Sequence, residues 1–300
     1  MEILRTPEDR FSDIPDFPWD PIYRDWEDMR LAYLDEGEGE PLLLLHGEPT
    51  WGFLWRKVMP ALLEAGYRCI VPDLAGFGRS DKPADDSWYT YDRHTDSIVS
   101  LLEELDLSGV TLVCHDWGGP IGLRAASIEA PERFSRLVAM DTGLFTGYQK
   151  MSDDWNHFRD FIASHRDVRI DMPIRGGCHS ELSEEVVAAY EAPFPDANYK
   201  AGVRTFPPMI PVTPDDPGAA EGQAAARYLL QDDRPALLLW ADSDPALPLD
   251  PVGGLVQMLL PEAEPLTVIA DAGHFLQEDR GEEIGRIIAD WLNHNPVSKD

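Results

Sequence analysis

Six short apolar runs, most of them followed by a helical pattern, constrain the fold of this chain more than any single residue does. They are "PLLLLHG" (41–47), "YRCIVPDLAG" (67–76), "GVTLVCHD" (109–116), "FSRLVAMD" (134–141), "PALLLWAD" (235–242) and "PLTVIADAGH" (265–274). Runs apolar on both faces are what strands covered on both sides need. Among the intervening segments, "FLWRKVMPALLEAG" puts Leu54, Val58 and Leu62 on one helical face and closes near Gly66. "DSIVSLLEELD" and "GGPIGLRAASIEAPERF" repeat the scheme, and "GEEIGRIIADWLNH" supplies a last amphipathic helix. The alternation predicts an α/β fold, a mostly parallel sheet flanked by helices, with ligands bound beyond the carboxyl ends of the strands.

Between "LVAMD" and "PALLLWAD" the rhythm stops for about ninety residues, too many for a plain loop in a compact domain. That stretch holds Trp155, a helical "ELSEEVVAAYEAPF" and the proline-rich "TFPPMIPVTPDDP". It reads as an inserted, largely helical lid over residues 142–225, with 1–141 and 226–300 forming the main domain. At 300 residues and 43% hydrophobic content, the chain can bury one large core and carry one such excursion.

Charge narrows the partners. The chain has 25 basic against 55 acidic residues, a net charge of −30. Nucleic acid is excluded, because phosphate binding needs a basic face. A strongly acidic, lysine-poor surface resembles that of proteins from salt-loving organisms, where dense salt screens self-repulsion. Cys69, Cys114 and Cys178 are scattered and match no metal-ligand spacing, so a reduced, cytoplasmic protein is expected. The N-terminal stretch lacks a basic segment followed by an apolar one, and no run reaches the ~18 apolar residues of a membrane span.

The chemistry concentrates at strand ends. In "LVCHDWGGPIGL" a strand runs through a small-residue corner into a helix, the pattern of a nucleophile elbow, with Asp116 at its tip and Cys114, Gly118 and Gly119 around it. A helix N-cap is the alternative role for this aspartate. The His-Gly corner in "LLLLHGEPTW" lies where an oxyanion-hole partner would, and His274 follows the last strand in "IADAGHFLQE". Asp242 and Asp244 both follow the strand "LLLWA"; Asp244 is the better placed to orient His274.

With these residues in place, the sequence resembles the haloalkane dehalogenases of the α/β-hydrolase superfamily, in the branch whose catalytic acid follows the seventh strand. The likeness rests on "HGEPTW", "DLAGFGRSDKP", "HDWGG", "AYEAPFPDANYKAGVRTFP", the loop around Asp244 and "DAGHFLQED". It implies an α/β-hydrolase fold with a helical cap, Asp116 as nucleophile, His274 as base and Asp244 as its acid. Backbone N–H groups of Glu48 and Trp117 would form the oxyanion hole. A small neutral halogenated hydrocarbon would be the substrate, with water as co-substrate, a halide ion as product, and no metal or organic cofactor.

Two departures from the family pattern stand out. The second halide-binding tryptophan of the lid is replaced by Phe158 at the expected place, with Trp155 one helical turn earlier. Trp117 and Trp155 are therefore the expected halide donors and Phe158 a pocket wall. Asp141 stands where the branch usually carries asparagine, at the strand end that bears the catalytic acid in other branches, which makes it an alternative acid. An epoxide hydrolase would share the triad but would need lid tyrosines, for which Tyr148, Tyr190, Tyr199 and Tyr228 are the candidates. A non-catalytic receptor on the same scaffold is the reading from a different class.

Overall fold

The computed structural model describes residues 1–151 and 153–297. Its strands in chain order are β1 (Ile3–Leu4), β2 (Ile22–Trp26), β3 (Met29–Glu36), β4 (Pro41–Leu45), β5 (Arg68–Pro72), β6 (Lys82–Pro83), β7 (Val110–Asp116), β8 (Phe134–Thr142), β9 (Ala236–Ala241) and β10 (Thr267–Ile269). β1 and β6 pair apart from the rest; the other eight form one sheet in the order β10-β9-β8-β7-β4-β5-β3-β2. From β10 across to β5 every pairing is parallel, and β3 and β2 add an antiparallel edge.

Alternation along the central strands sorts the core into two faces. Leu43, Leu45, Leu112 and Cys114 point to one side, and Leu42, Leu44, Val113 and Val138 to the other, all fully buried. Helices α1 (Met59–Glu64) and α10 (Leu276–His294) cover the second side through Leu62, Ile284 and Ile288. Helices α2 (Tyr91–Glu104) and α3 (Gly118–Arg124) cover the first through Ile98, Leu101 and Ile121.

Three elements differ from the sequence reading. The β2–β3 hairpin had no apolar run to announce it, because β2 is an edge strand carrying Arg24 and Asp25, with Glu27 turning at φ 52°. The segment expected as one helix from Phe53 is a 3₁₀ helix over Gly52–Lys57, and the α-helix begins only at Met59, with Pro60 in its first turn. The helix after the elbow passes into a π turn over Ala125–Glu129 and then a 3₁₀ turn at Pro131–Arg133.

Between β8 and β9 lie α4 (Asp153–Ser164), α5 (Asp171–Gly177), α6 (Glu184–Glu191), α7 (Ala201–Met209) and α8 (Ala219–Leu229). Ser183 caps α6 by accepting the Val186 N–H. Buried polar contacts fasten α6 to the sheet-bearing body: the Trp51 indole donates to the Ala189 carbonyl at 3.1 Å, and the Tyr190 hydroxyl donates to Glu278. Glu278 in turn accepts from Arg56, whose Nη2 lies 2.8 Å from Oε2. Among the described residues no helix is long and apolar enough to cross a membrane.

Candidate active site

Asp116 ends β7 with φ 47°, a left-handed conformation that throws its side chain up at the strand-to-helix corner. The small residues around it are a steric necessity. A Cβ on Gly47 would lie 2.2 Å from Asp116 Oδ2, and one on Gly118 would lie 2.2 Å from the Leu45 carbonyl oxygen. The Asp116 carboxylate accepts the Glu48 N–H at 2.8 Å through Oδ2 and is also hydrogen-bonded by the Trp117 N–H. Thr142 Oγ1 donates to the Asp116 carbonyl at 2.6 Å and braces the corner from β8. Trp117, not Asp116, occupies the N-cap position of α3.

His274, on the loop after β10, points Nδ1 at Asp244 Oδ2 at 2.8 Å and Nε2 toward Asp116 Oδ1 at 3.8 Å. The second distance is too long for a direct hydrogen bond, which leaves Oδ1 free of the ring. Asp244 follows β9, the seventh strand of the large sheet in chain order, and its Oδ1 accepts N–H groups from Ala246 at 2.6 Å and Leu247 at 2.9 Å. Asp242, the other candidate after that strand, instead accepts N–H groups from Asp271 and Ala272. Asp141, next to last in the sixth strand, accepts the Ala241 N–H at 2.9 Å, while the Nδ1 of His274 is taken by Asp244.

Electrostatics follow the geometry. Burial alone would raise Asp244, but the His274 charge and hydrogen bond with the two N–H donors hold it below the usual carboxylate range. Burial would lower His274, yet Asp244 first, then Asp116 and Asp141, push it up to about 10. Asp116 is raised by burial, opposed by His274 and by its two backbone donors. Burial and the Asp116 charge lift Glu48 well above the carboxylate range.

These groups open onto a cavity of about 410 Å³. Glu48, Asp116, Trp117 and His274 line its base, joined by Trp155 and Phe158 from α4 and by apolar side chains such as Phe145, Ile210 and Leu247. No tyrosine lines it among the described residues: Tyr190 is turned to Glu278, and Tyr148 is exposed. The epoxide reading thus lacks its proton donors.

Sequence reasoning missed the way the site is stitched to the helices between β8 and β9. Asp279 accepts N–H groups from Gly273 at 2.9 Å, His179 at 2.9 Å and Ser180 at 2.8 Å, while the Phe275 N–H donates to the Gly177 carbonyl at 3.1 Å. The loop carrying His274 is therefore bound directly to the end of α5. The signal was the consecutive acids in "HFLQED", which read equally well as exposed charges favouring a helix N-terminus.

Comparison with known proteins agrees with the fold. The alpha/beta hydrolase fold family matches residues 40–166. A haloalkane dehalogenase of Psychrobacter cryohalolentis is 44% identical over 307 residues, covering 99% of this chain and 100% of the relative. One from Mycolicibacterium paratuberculosis is 39% identical, covering 97% and 98%. Among solved structures, the tetrameric haloalkane dehalogenase DpaA from Paraglaciecola agarilytica superposes with a TM-score of 0.90 at 36% identity, over 96% of this chain and 97% of that one.

Proposed function

The chain belongs to the haloalkane dehalogenase family, and from that premise we propose how its own residues divide the work of hydrolytic dehalogenation. Asp116 is a carboxylate at neutral pH and needs no base before attacking an sp³ carbon. Its Oδ1 forms the new C–O bond as the carbon–halogen bond breaks, and the halide leaves with the bonding pair. Indole N–H groups of Trp117 and Trp155 receive it in an apolar pocket with Phe158 as a wall. His274 then takes a proton from water as its oxygen attacks the ester carbonyl. The N–H groups of Glu48 and Trp117 steady the oxyanion, a task worth ~3 kcal/mol per donor. Collapse passes the proton from His274 to the departing alkoxide, giving the alcohol, and the carboxylic acid left on Asp116 then loses the second proton of the water to solvent, restoring the carboxylate.

The observation that carries this reading is the carboxylate at the elbow, which accepts the Glu48 N–H through Oδ2, accepts the Trp117 N–H as well, and lines the cavity. The apolar lining supports a small neutral halogenated hydrocarbon as substrate, and the segment over 142–225 acts as the cap that shapes the pocket. The acidic, lysine-poor composition and the unpaired cysteines support a cytoplasmic enzyme of a saline cell.

The test separates the two half-reactions on 1-bromobutane. Asp116→Asn is expected to release no bromide. His274→Phe is expected to release one equivalent per enzyme and stop, with the alkyl group retained on the peptide holding Asp116 and visible by mass. Steady turnover by Asp116→Asn would sink the proposal.

A further inference from the structure

Asp141 stands one residue before the end of β8, beside the triad, and the mechanism above gives it nothing to do. Its side chain is fully buried, and its backbone sits at φ 35°, a conformation costly for a residue other than glycine. One oxygen accepts the Ala241 N–H; the other, Oδ2, is buried and receives no donor. The neighbour it meets is a second carboxylate. Asp141, Asp244 and His274 offer ligand atoms that all lie within 4.8 Å of one another.

Two ionised carboxylates cannot share a buried site at that separation without a large cost, and one proton between them removes it. Asp244 is committed to the anionic form by the Ala246 and Leu247 N–H groups and by His274. A carboxylate offers about four lone-pair positions, so those three donors leave room for a fourth. We propose that Asp141 is a positioning residue that carries the one proton of a two-carboxyl pair and donates it to Asp244, so that a single negative charge faces His274.

Burial and the Asp244 charge act on Asp141 in the same sense, holding it well above the carboxylate range. The titratable groups acting on the pair are His274 after β10, which acts on both carboxyls, and Asp116 at the end of β7 and His115 beside it, which act on Asp244. The His115 ring lies tilted against that of His274, 4.8 Å between centroids, and is pushed down to about 3, chiefly by burial, so it stays neutral. The role of the shared proton, which rests on the function proposed above, lies in the second half-reaction. With Asp141 neutral, the resting imidazole is held up by Asp244 and Asp116. Alkylation removes the Asp116 charge, and a neutral Asp141 leaves Asp244 alone against the ring, letting His274 accept a proton from water. An ionised Asp141 would hold the ring as imidazolium, so ester hydrolysis should fall at alkaline pH while halide release does not.

Asp141→Asn keeps a donor for Asp244 and removes the titration. At neutral pH its single-turnover ester hydrolysis is expected within about twofold of the parent, with the alkaline decline abolished and the halide burst unchanged. Asp141→Ala, lacking the donor, is expected to slow hydrolysis by about tenfold or more while keeping the burst. Infrared difference spectra at pH 8 give a readout independent of activity: the carbonyl band of a protonated carboxyl should be present in the parent and lost in Asp141→Asn. Hydrolysis abolished in Asp141→Asn at every pH would make Asp141 an ionised acid and overturn the proposal. So would an unchanged alkaline limb, or an unchanged carboxyl band. A parent that shows no halide burst would instead sink the dehalogenase reading, so the two failures are distinguishable.

Discussion

Trp155 and Phe158 stand three positions apart on α4, and both line the cavity. Only the indole offers an N–H to a departing halide. Trp155→Phe keeps the apolar area and removes that donor, so bromide affinity, read as product inhibition, should weaken by about tenfold, the equivalent of one charge-assisted hydrogen bond at ~1.5 kcal/mol. Phe158→Leu in the same assay should leave it unchanged; equal effects from the two variants would assign Trp155 to packing. The site candidates visible in the sequence share one property: Asp116, Asp244 and His274 each stand at or just after the C-terminal end of a strand, at a small-residue or polar corner. Asp279 and Glu278 were hidden because a sequence shows an acid without its partners. One gathers N–H groups from the His274 loop and from the chain after α5, and the other meets Arg56 and Tyr190, contacts made by residues far apart in the chain.

At the scale of elements, the elbow is where sequence dictates structure most tightly. α3 starts hard against β4, and a methyl group on Gly118 would meet the Leu45 backbone oxygen, which no rotamer change can move aside. Gly118→Ala should therefore cost about 3 kcal/mol, read as a lowered unfolding midpoint. Gly254→Ala at the start of α9 (Gly254–Leu259) is the control, since a Cβ there meets nothing within 4 Å. It should be neutral or stabilise by up to about 1 kcal/mol. Equal losses in both would mean the elbow tolerates a larger residue. The parallel strands were legible for the same reason that the elbow is rigid: both faces are covered, so their residues are apolar throughout. The β2–β3 hairpin was not, because its outer strand faces water and carries charges. The break between Lys57 and Met59 was also hidden: an unbroken helix would put Leu54, Val58 and Leu62 on one face, whereas the 3₁₀ segment sends Leu54 into the first side of the core while Val58 and Leu62 pack on the second.

At the scale of the whole molecule, the surplus of acids sets the dependence on salt. Most arginines are already committed to a neighbouring carboxylate, Arg24 to Glu104, Arg68 to Asp35 and Arg204 to Asp86 among them. What remains is repulsion among acids with no cation at hand, part of a net −30 spread over one body. Salt screens both kinds of interaction, but exposed ion pairs are worth only ~0–1 kcal/mol each, whereas the repulsion acts over the whole surface. Shrinking the screening length from about 10 Å at 0.1 M to about 3 Å at 1 M should then stabilise the fold on balance. The thermal midpoint in sodium chloride is expected to rise steadily from dilute buffer to molar salt. The rise should come early, over the range where the screening length falls below the spacing of surface charges. A rise only above molar salt, or one seen with sulfate and absent with chloride, would point instead to exclusion of salt from apolar surface. A flat curve would mean that the local pairs already balance the surplus, and that this composition carries no stability cost in dilute solution.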